Sequence, residues 1–418
     1  MSEPALPAHG LPWPEVKAQM QDLQQEDRSW YSDLMFVGGS YFGGEELVKI
    51  ANEAYQLYIN CNGLYATKIF PSLVCYAEEL VDALLHRHNA PPEAGGSITT
   101  GGTESLLMAV KTAYAWSRDH RPQAQSPEIV VPQAAHPAFD KAAHLMGLRS
   151  VRLPHNHNFH ADVEAMRHAI NDNTVLLVAS APSYPFGVTD PVAAIAQIAA
   201  EHGLWLHVDA CNGGFVFPFA RQLGYDVPAY DFALPGVTSI SIDVHKLGYA
   251  NKGVSSLLLR DAALEQYQRY TFDNWPCGLY STQNLAGSHS GGGLASAWAV
   301  MRHLGEDGYR QIVGEILATR DRMVGGIAAI DGLQIWGTPH AYLIAYGSDA
   351  FDIFAVDEGM AARGWLCSRL ISPPAIHLFL DRSHSTSVDD YLADLAEVVE
   401  AVKAGKITSQ NRQAVYAR

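Results

Sequence analysis

The chain has 418 residues, 48% of them hydrophobic and 17% charged, with a formal net charge of −16. That length exceeds one ordinary domain and the apolar content can fill a sizeable core, which argues against a disordered chain and for a large domain with a smaller one beside it. The acidic residues are scattered instead of gathered in a tail, a pattern of solubility that excludes nucleic acid as the expected partner.

Five cysteines (Cys61, Cys75, Cys211, Cys277 and Cys367) form an odd, widely spaced set without a C-x-x-C pair. This argues against a disulfide framework and against a metal site, and fits a reducing cytoplasm. No run of 18 apolar residues occurs and the N-terminus lacks the basic and apolar regions of a signal peptide, so a soluble chain without a membrane span is expected.

In chain order, a short amphipathic stretch around Val16–Leu23 precedes a glycine-bounded segment from Gly38 to Gly44. Apolar runs then alternate with helical patterns between Gly95 and Leu259: Glu128–Val131, Val151–Leu153, Val175–Ala179, Trp205–Val208, Ser239–Ile242 and Ser255–Leu259. Short buried strands separated by helices predict an α/β fold with a mainly parallel sheet covered on both faces. After Gly305 the pattern becomes a long helix (Tyr309–Ala329), strand-like segments (Leu333–Trp336 and Tyr342–Tyr346) and further helices, among them Val388–Lys403. The expected organisation is an N-terminal segment (1–60), a large domain (61–304) and a smaller α+β C-terminal domain (305–418).

Ligands of such sheets sit beyond the carboxyl ends of the strands, so the polar residues after each run carry the functional reading. Thr99 to Ser105 reads Thr-Thr-Gly-Gly-Thr-Glu-Ser and opens a helical run, Leu106–Trp116. Glycines ahead of a helix expose backbone N–H groups and the helix dipole to a phosphate, while the hydroxyls of Thr103 and Ser105 add donors. His136 follows the next apolar run; an imidazole there can stack on a flat ring and shuttle protons. Asp209 closes the run from Trp205, and Lys246, flanked by His245 and followed by Gly248, closes the run from Ser239.

Taken singly, each feature has a plainer reading: an ordinary helix cap, a hydrogen-bonded core histidine, a capping carboxylate, a surface lysine. Together they are a phosphate cradle, a stacking ring, a carboxylate able to keep a ring nitrogen protonated, and an amine able to form an imine. That set is what pyridoxal 5′-phosphate (PLP) requires, with Lys246 as its Schiff-base lysine.

These segments resemble the PLP-dependent sphingosine-1-phosphate lyases, relatives of the group II amino-acid decarboxylases. The most specific pieces are Thr100 to Ser105, His136 to Ala142, His207 to Ala210 with Gly213 to Phe215, and Gly236 to Ser241 running into His245 to Gly253; Gly187 to Pro191 and Pro373 to His377 add to them. The resemblance implies a fold type I PLP enzyme, aspartate-aminotransferase-like. Lys246 would hold PLP, Asp209 would pair with the ring nitrogen and His136 would stack on the ring. Gly102, Thr103 and His245 would serve the phosphate, helped by Gly287 and Ser288 from the second subunit of a homodimer with shared active sites.

The reaction implied is a retro-aldol cleavage of a phosphorylated 2-amino-3-hydroxy long-chain base to a fatty aldehyde and phosphoethanolamine. Tyr41 and Lys252 match the tyrosine and second lysine that act at the substrate end, where Lys252 can hold a phosphate as a point charge. Two departures stand out. Tyr65 takes the place of a family histidine near the substrate phosphate, and His289 takes the place of an arginine, whose bidentate geometry imidazole cannot reproduce. An amino-acid decarboxylase and a PLP-binding protein without turnover are the competing readings.

Overall fold

The computed structural model describes residues 9–29, 31–411 and 413–414; the outer ends of the N- and C-terminal segments named above, including most of the stretch searched for a signal peptide, lie outside the described residues. Its centre is a seven-stranded sheet of β1 (Gly95–Thr99), β2 (Glu128–Pro132), β3 (Arg149–Leu153), β4 (Thr174–Ser180), β5 (Trp205–Asp209), β6 (Ser239–Ile242) and β7 (Ser255–Leu259). Their spatial order is β1-β7-β6-β5-β4-β2-β3. β7 runs antiparallel to both β1 and β6, and every other pairing is parallel, as expected of a mainly parallel sheet.

Every residue of β2, β4, β5, β6 and β7 is buried, because helices such as Gly102–His120 and Val192–His202 pack on the sheet. That double cover explains why these strands read as continuous apolar runs instead of alternating ones. A large side chain buried in this core, such as Trp205, contributes roughly 1.5–3 kcal/mol or more through removal of its apolar surface from water.

β8 (Tyr270–Phe272) and β9 (Tyr280–Thr282) form a two-stranded hairpin. A helical run, Gly292–Ala328, follows, broken at Gly305, whose φ of 57° and ψ of −168° lie outside the helical region. A second sheet contains β10 (Gln334–Ile335), β11 (Leu343–Gly347), β12 (Ser368–Ile371) and β13 (Pro374–Phe379), in the order β10-β11-β13-β12. The N-terminal segment joins this sheet's side of the molecule: Phe36 N–H donates to the Leu366 carbonyl and Leu366 N–H to that of Leu34. Among the described residues, no helix is long and apolar enough to cross a membrane, and no cluster of three or more metal-ligating side chains occurs.

Candidate active site

β1, β2, β4, β5 and β6 run the same way, so their carboxyl ends and the turns after them converge on one rim of the sheet. Each turn supplies one element. After β1, Gly101 adopts φ 150° and the helix begins at Gly102. A Cβ at Gly102 would come within 2.7 Å of the Asp243 carboxylate, so only glycine lets the helix start this close to the turn after β6. Here a cavity of about 560 Å³ is lined by Gly101, Gly102, Thr103, His136, Asp209, Asp243, His245 and Lys246, among others.

Lys246 Nζ donates to Asn212 Oδ1 at 3.0 Å and pairs with Asp243 Oδ2 at 3.0 Å. Burial alone pulls the amine toward its neutral form, but the Asp243 charge outweighs it and holds the ammonium well above the usual lysine range. Burial likewise favours a neutral Asp243, yet Lys246 and His245 keep its carboxyl below its ordinary value.

Asp209 is buried, with Oδ1 accepting from the Cys211 N–H at 3.0 Å and from Ser241 Oγ at 3.4 Å. Ser241 in turn contacts His207 Nε2 at 3.1 Å, and burial drives His207 down to about 4, so this supporting imidazole is neutral. His136 Nδ1 accepts the Ala138 N–H at 3.1 Å, which leaves the ring proton on Nε2. Burial lowers its basicity, although the nearby Asp209 works the other way. His245 donates from Nδ1 to the Val254 carbonyl at 2.7 Å, turning Nε2 toward Asp243; burial lowers its basicity too.

A second cavity of about 1090 Å³ adjoins the first and shares His136, Tyr184, His245 and Lys246 with it. Its wall carries Tyr41, Lys252, Leu370 and His377. Tyr41 is set by its neighbour: Phe42 N–H donates to Asp381 Oδ2 at 3.1 Å, while the Tyr41 ring packs edge-on against Phe379. Close to Tyr41, Tyr342 donates to Asn212 Oδ1 at 3.0 Å, the same oxygen that accepts from Lys246 Nζ. Burial keeps the Tyr41 phenol protonated far above neutrality. The Lys252 ammonium lies 4.6 Å from the Tyr41 ring centroid; desolvation by its surroundings, then repulsion from Lys246, lowers it to about 8.

Lys246, His136, Asp209, Gly102, Thr103, His245, Tyr41 and Lys252 therefore lie around two communicating cavities. Gly287, Ser288, His289 and Tyr65 do not line either one in the single chain. They gather at a separate contact, where Asn62 Nδ2 donates to Ser288 Oγ at 2.9 Å and Gly63 N–H to the His289 carbonyl at 2.9 Å; Tyr65 is exposed. Asp243, Asn212, Tyr184 and Tyr342 are the residues that sequence reasoning did not single out. Asp243 carried a signal, three residues before Lys246 in a turn, whereas Asn212 and Tyr342 reach the site only through the fold.

The donor set suits PLP: a helix N-terminus with Thr103 for the phosphate, a supported carboxylate for a ring nitrogen, an imidazole beside them, and a buried amine for the aldehyde. The model of the pyridoxal-dependent decarboxylase conserved domain matches residues 2–346. The chain is 39% identical to a sphingosine-1-phosphate lyase of Arabidopsis thaliana over 96% of its length and 75% of that protein's. It is 36% identical to the solved structure of a Burkholderia pseudomallei sphingosine-1-phosphate lyase, with a TM-score of 0.91 and 96% and 93% of the two chains covered. A probable L-tyrosine/L-aspartate decarboxylase of Methanothermobacter thermautotrophicus is 32% identical over 82% of this chain and 93% of that protein. Its residues, its fold and these likenesses agree, and the chain belongs to the sphingosine-1-phosphate lyase family, among the relatives of the pyridoxal-dependent decarboxylases.

Proposed function

We propose that this PLP enzyme cleaves the Cα–Cβ bond of dihydrosphingosine 1-phosphate or a related 2-amino-3-hydroxy phosphate, giving a long-chain aldehyde and phosphoethanolamine. The carrying observation is the Lys252 ammonium on the Tyr41 ring, in the cavity that opens directly from Lys246. It supplies a cation for an anionic head group beside the amine that holds the cofactor.

When bound, the cofactor withdraws into its ring the electrons of the bond that breaks. Asp209, held by the Cys211 N–H and Ser241, would keep the ring nitrogen protonated, His136 would orient the ring, and the start of the Gly102 helix with Thr103 would bind the phosphate. Tyr41, whose phenol stays protonated and whose ring lies against Lys252, would hold a proton at its hydroxyl at the substrate end. The larger cavity has room for a long-chain substrate, and Leu370 adds apolar wall.

A cytoplasmic homodimer is part of the same proposal. The free state of all five cysteines accords with a reducing compartment, and exposed apolar side chains at Leu57, Ile59, Tyr65, Ile69 and Leu285 accord with burial by a second copy. The test is to incubate the purified protein with dihydrosphingosine 1-phosphate and assay both products. Aldehyde and phosphoethanolamine in equal amounts support the proposal; no aldehyde, with CO₂ released from an amino-acid panel, replaces it with decarboxylation. Intact substrates throughout, from a protein that binds PLP, leave a binding protein.

A further inference from the structure

Glu104 is the third residue of the cradle helix, buried, and unused in the chemistry above. Its two carboxylate oxygens face different segments. Oε2 accepts from the backbone N–H of Thr100 at 2.6 Å and from the Thr100 hydroxyl, fixing the turn into Gly101 and Gly102. Oε1 accepts from the N–H groups of Leu285 at 2.7 Å and Ala286 at 3.0 Å. Leu285 lines the smaller cavity, so this strap forms part of its wall.

Beyond Ala286 the strap is tied to a second place. Asn62 reaches Ser288, Gly63 N–H donates to the His289 carbonyl, and Gly291 N–H donates to the Cys61 carbonyl. Burial by itself raises the Glu104 carboxyl, but the Thr100 and strap hydrogen bonds reverse this and keep it ionised below its ordinary value.

Resting on the PLP reading, we propose that Glu104 is a positioning residue that couples the phosphate cradle to the 285–291 strap, so that cofactor binding and strap order rise and fall together. An ionised carboxylate is required because all four donors point at it. A glutamine presents one oxygen and one NH₂, so either Thr100 or the strap faces a donor instead of an acceptor.

The test combines Glu104→Gln with Ala286→Pro, which removes one strap N–H and leaves the carboxylate in place. Cofactor-free protein is titrated with PLP by imine absorbance, and proteolytic cutting within 273–291 is timed with and without PLP. The expected result is cofactor affinity about tenfold weaker in each variant, the cost of one unsatisfied buried group. The double variant is no weaker than the poorer single one, and PLP-dependent protection of the strap is lost in Glu104→Gln. Additive losses, or wild-type protection in Glu104→Gln, overturn the coupling. If Glu104→Gln fails to fold, Ala286→Pro alone decides: unchanged PLP affinity overturns the proposal and weakened affinity with faster cutting sustains it. Absence of imine absorbance in the wild-type chain would instead count against the PLP reading itself.

Discussion

Lys246 Nζ and Asp243 Oδ2 stand 3.0 Å apart beneath the start of the cradle helix, so the amine proposed to form the imine, which must be neutral to do so, is held as an ammonium. Removing the charge of Asp243 frees the amine at lower pH. Asp243→Asn is isosteric and should still fit against Gly102. The rate of imine formation on cofactor-free protein should therefore shift to lower pH by about one unit or more, since one unit corresponds to about 1.4 kcal/mol of interaction. An unshifted profile, followed by absorbance after mixing, would show that Asp243 does not govern the amine.

Asp209→Asn keeps an oxygen for the Cys211 N–H but cannot hold a proton on a ring nitrogen by charge. PLP should still bind and its imine still form, while turnover falls by roughly a hundredfold or more, the scale of losing a positioned proton partner. Equal losses of binding and turnover would make Asp209 a structural carboxylate only.

Lys252 is a cation below its value of about 8 and neutral above it. If it holds the substrate phosphate, KM for the phosphorylated substrate should be lowest below pH 8 and rise as pH passes through 8. Lys252→Arg stays protonated throughout and should lose that rise. The same alkaline rise in both proteins would place the titration elsewhere.

In the proposed site His136 has two separable duties, contact with the cofactor ring and hydrogen bonding, the latter seen at Nδ1 with the Ala138 N–H. His136→Phe should retain most PLP affinity and lose turnover by roughly 10²–10⁴-fold, whereas His136→Ala should lose both. Titration with PLP beside product assays reads the two effects separately.

Most of the sheet was legible because strands covered on both faces are written as apolar runs, and β2 to β7 follow the predicted segments. β1 was not: Gly95, Gly96 and Ser97 provide almost no apolar signal, and the glycines are there because a Cβ at Gly96 would meet Leu258 and the Leu257 carbonyl of β7. The helix predicted from Tyr309 starts just after the non-helical Gly305, which divides the run Gly292–Ala328 in two; the helix before that break was not read from the sequence. At the site, residues placed after strand ends were readable as Lys246, Asp209, His136 and the glycine turn. Asn212 and Tyr342 were not, since 34 and 130 residues separate the partners of the two hydrogen bonds that bring them to Lys246. Within the chain, Ser288 and His289 lie against Asn62 and Gly63.

The assignment of Lys246 is tested most directly by reducing the PLP-loaded enzyme with borohydride and mapping the labelled peptide. The label should fall on Lys246, in near-stoichiometric amount, and Lys246→Ala should take up none, show no imine absorbance and release no aldehyde. Label on Lys252, or an active and normally coloured Lys246→Ala protein, would contradict the account.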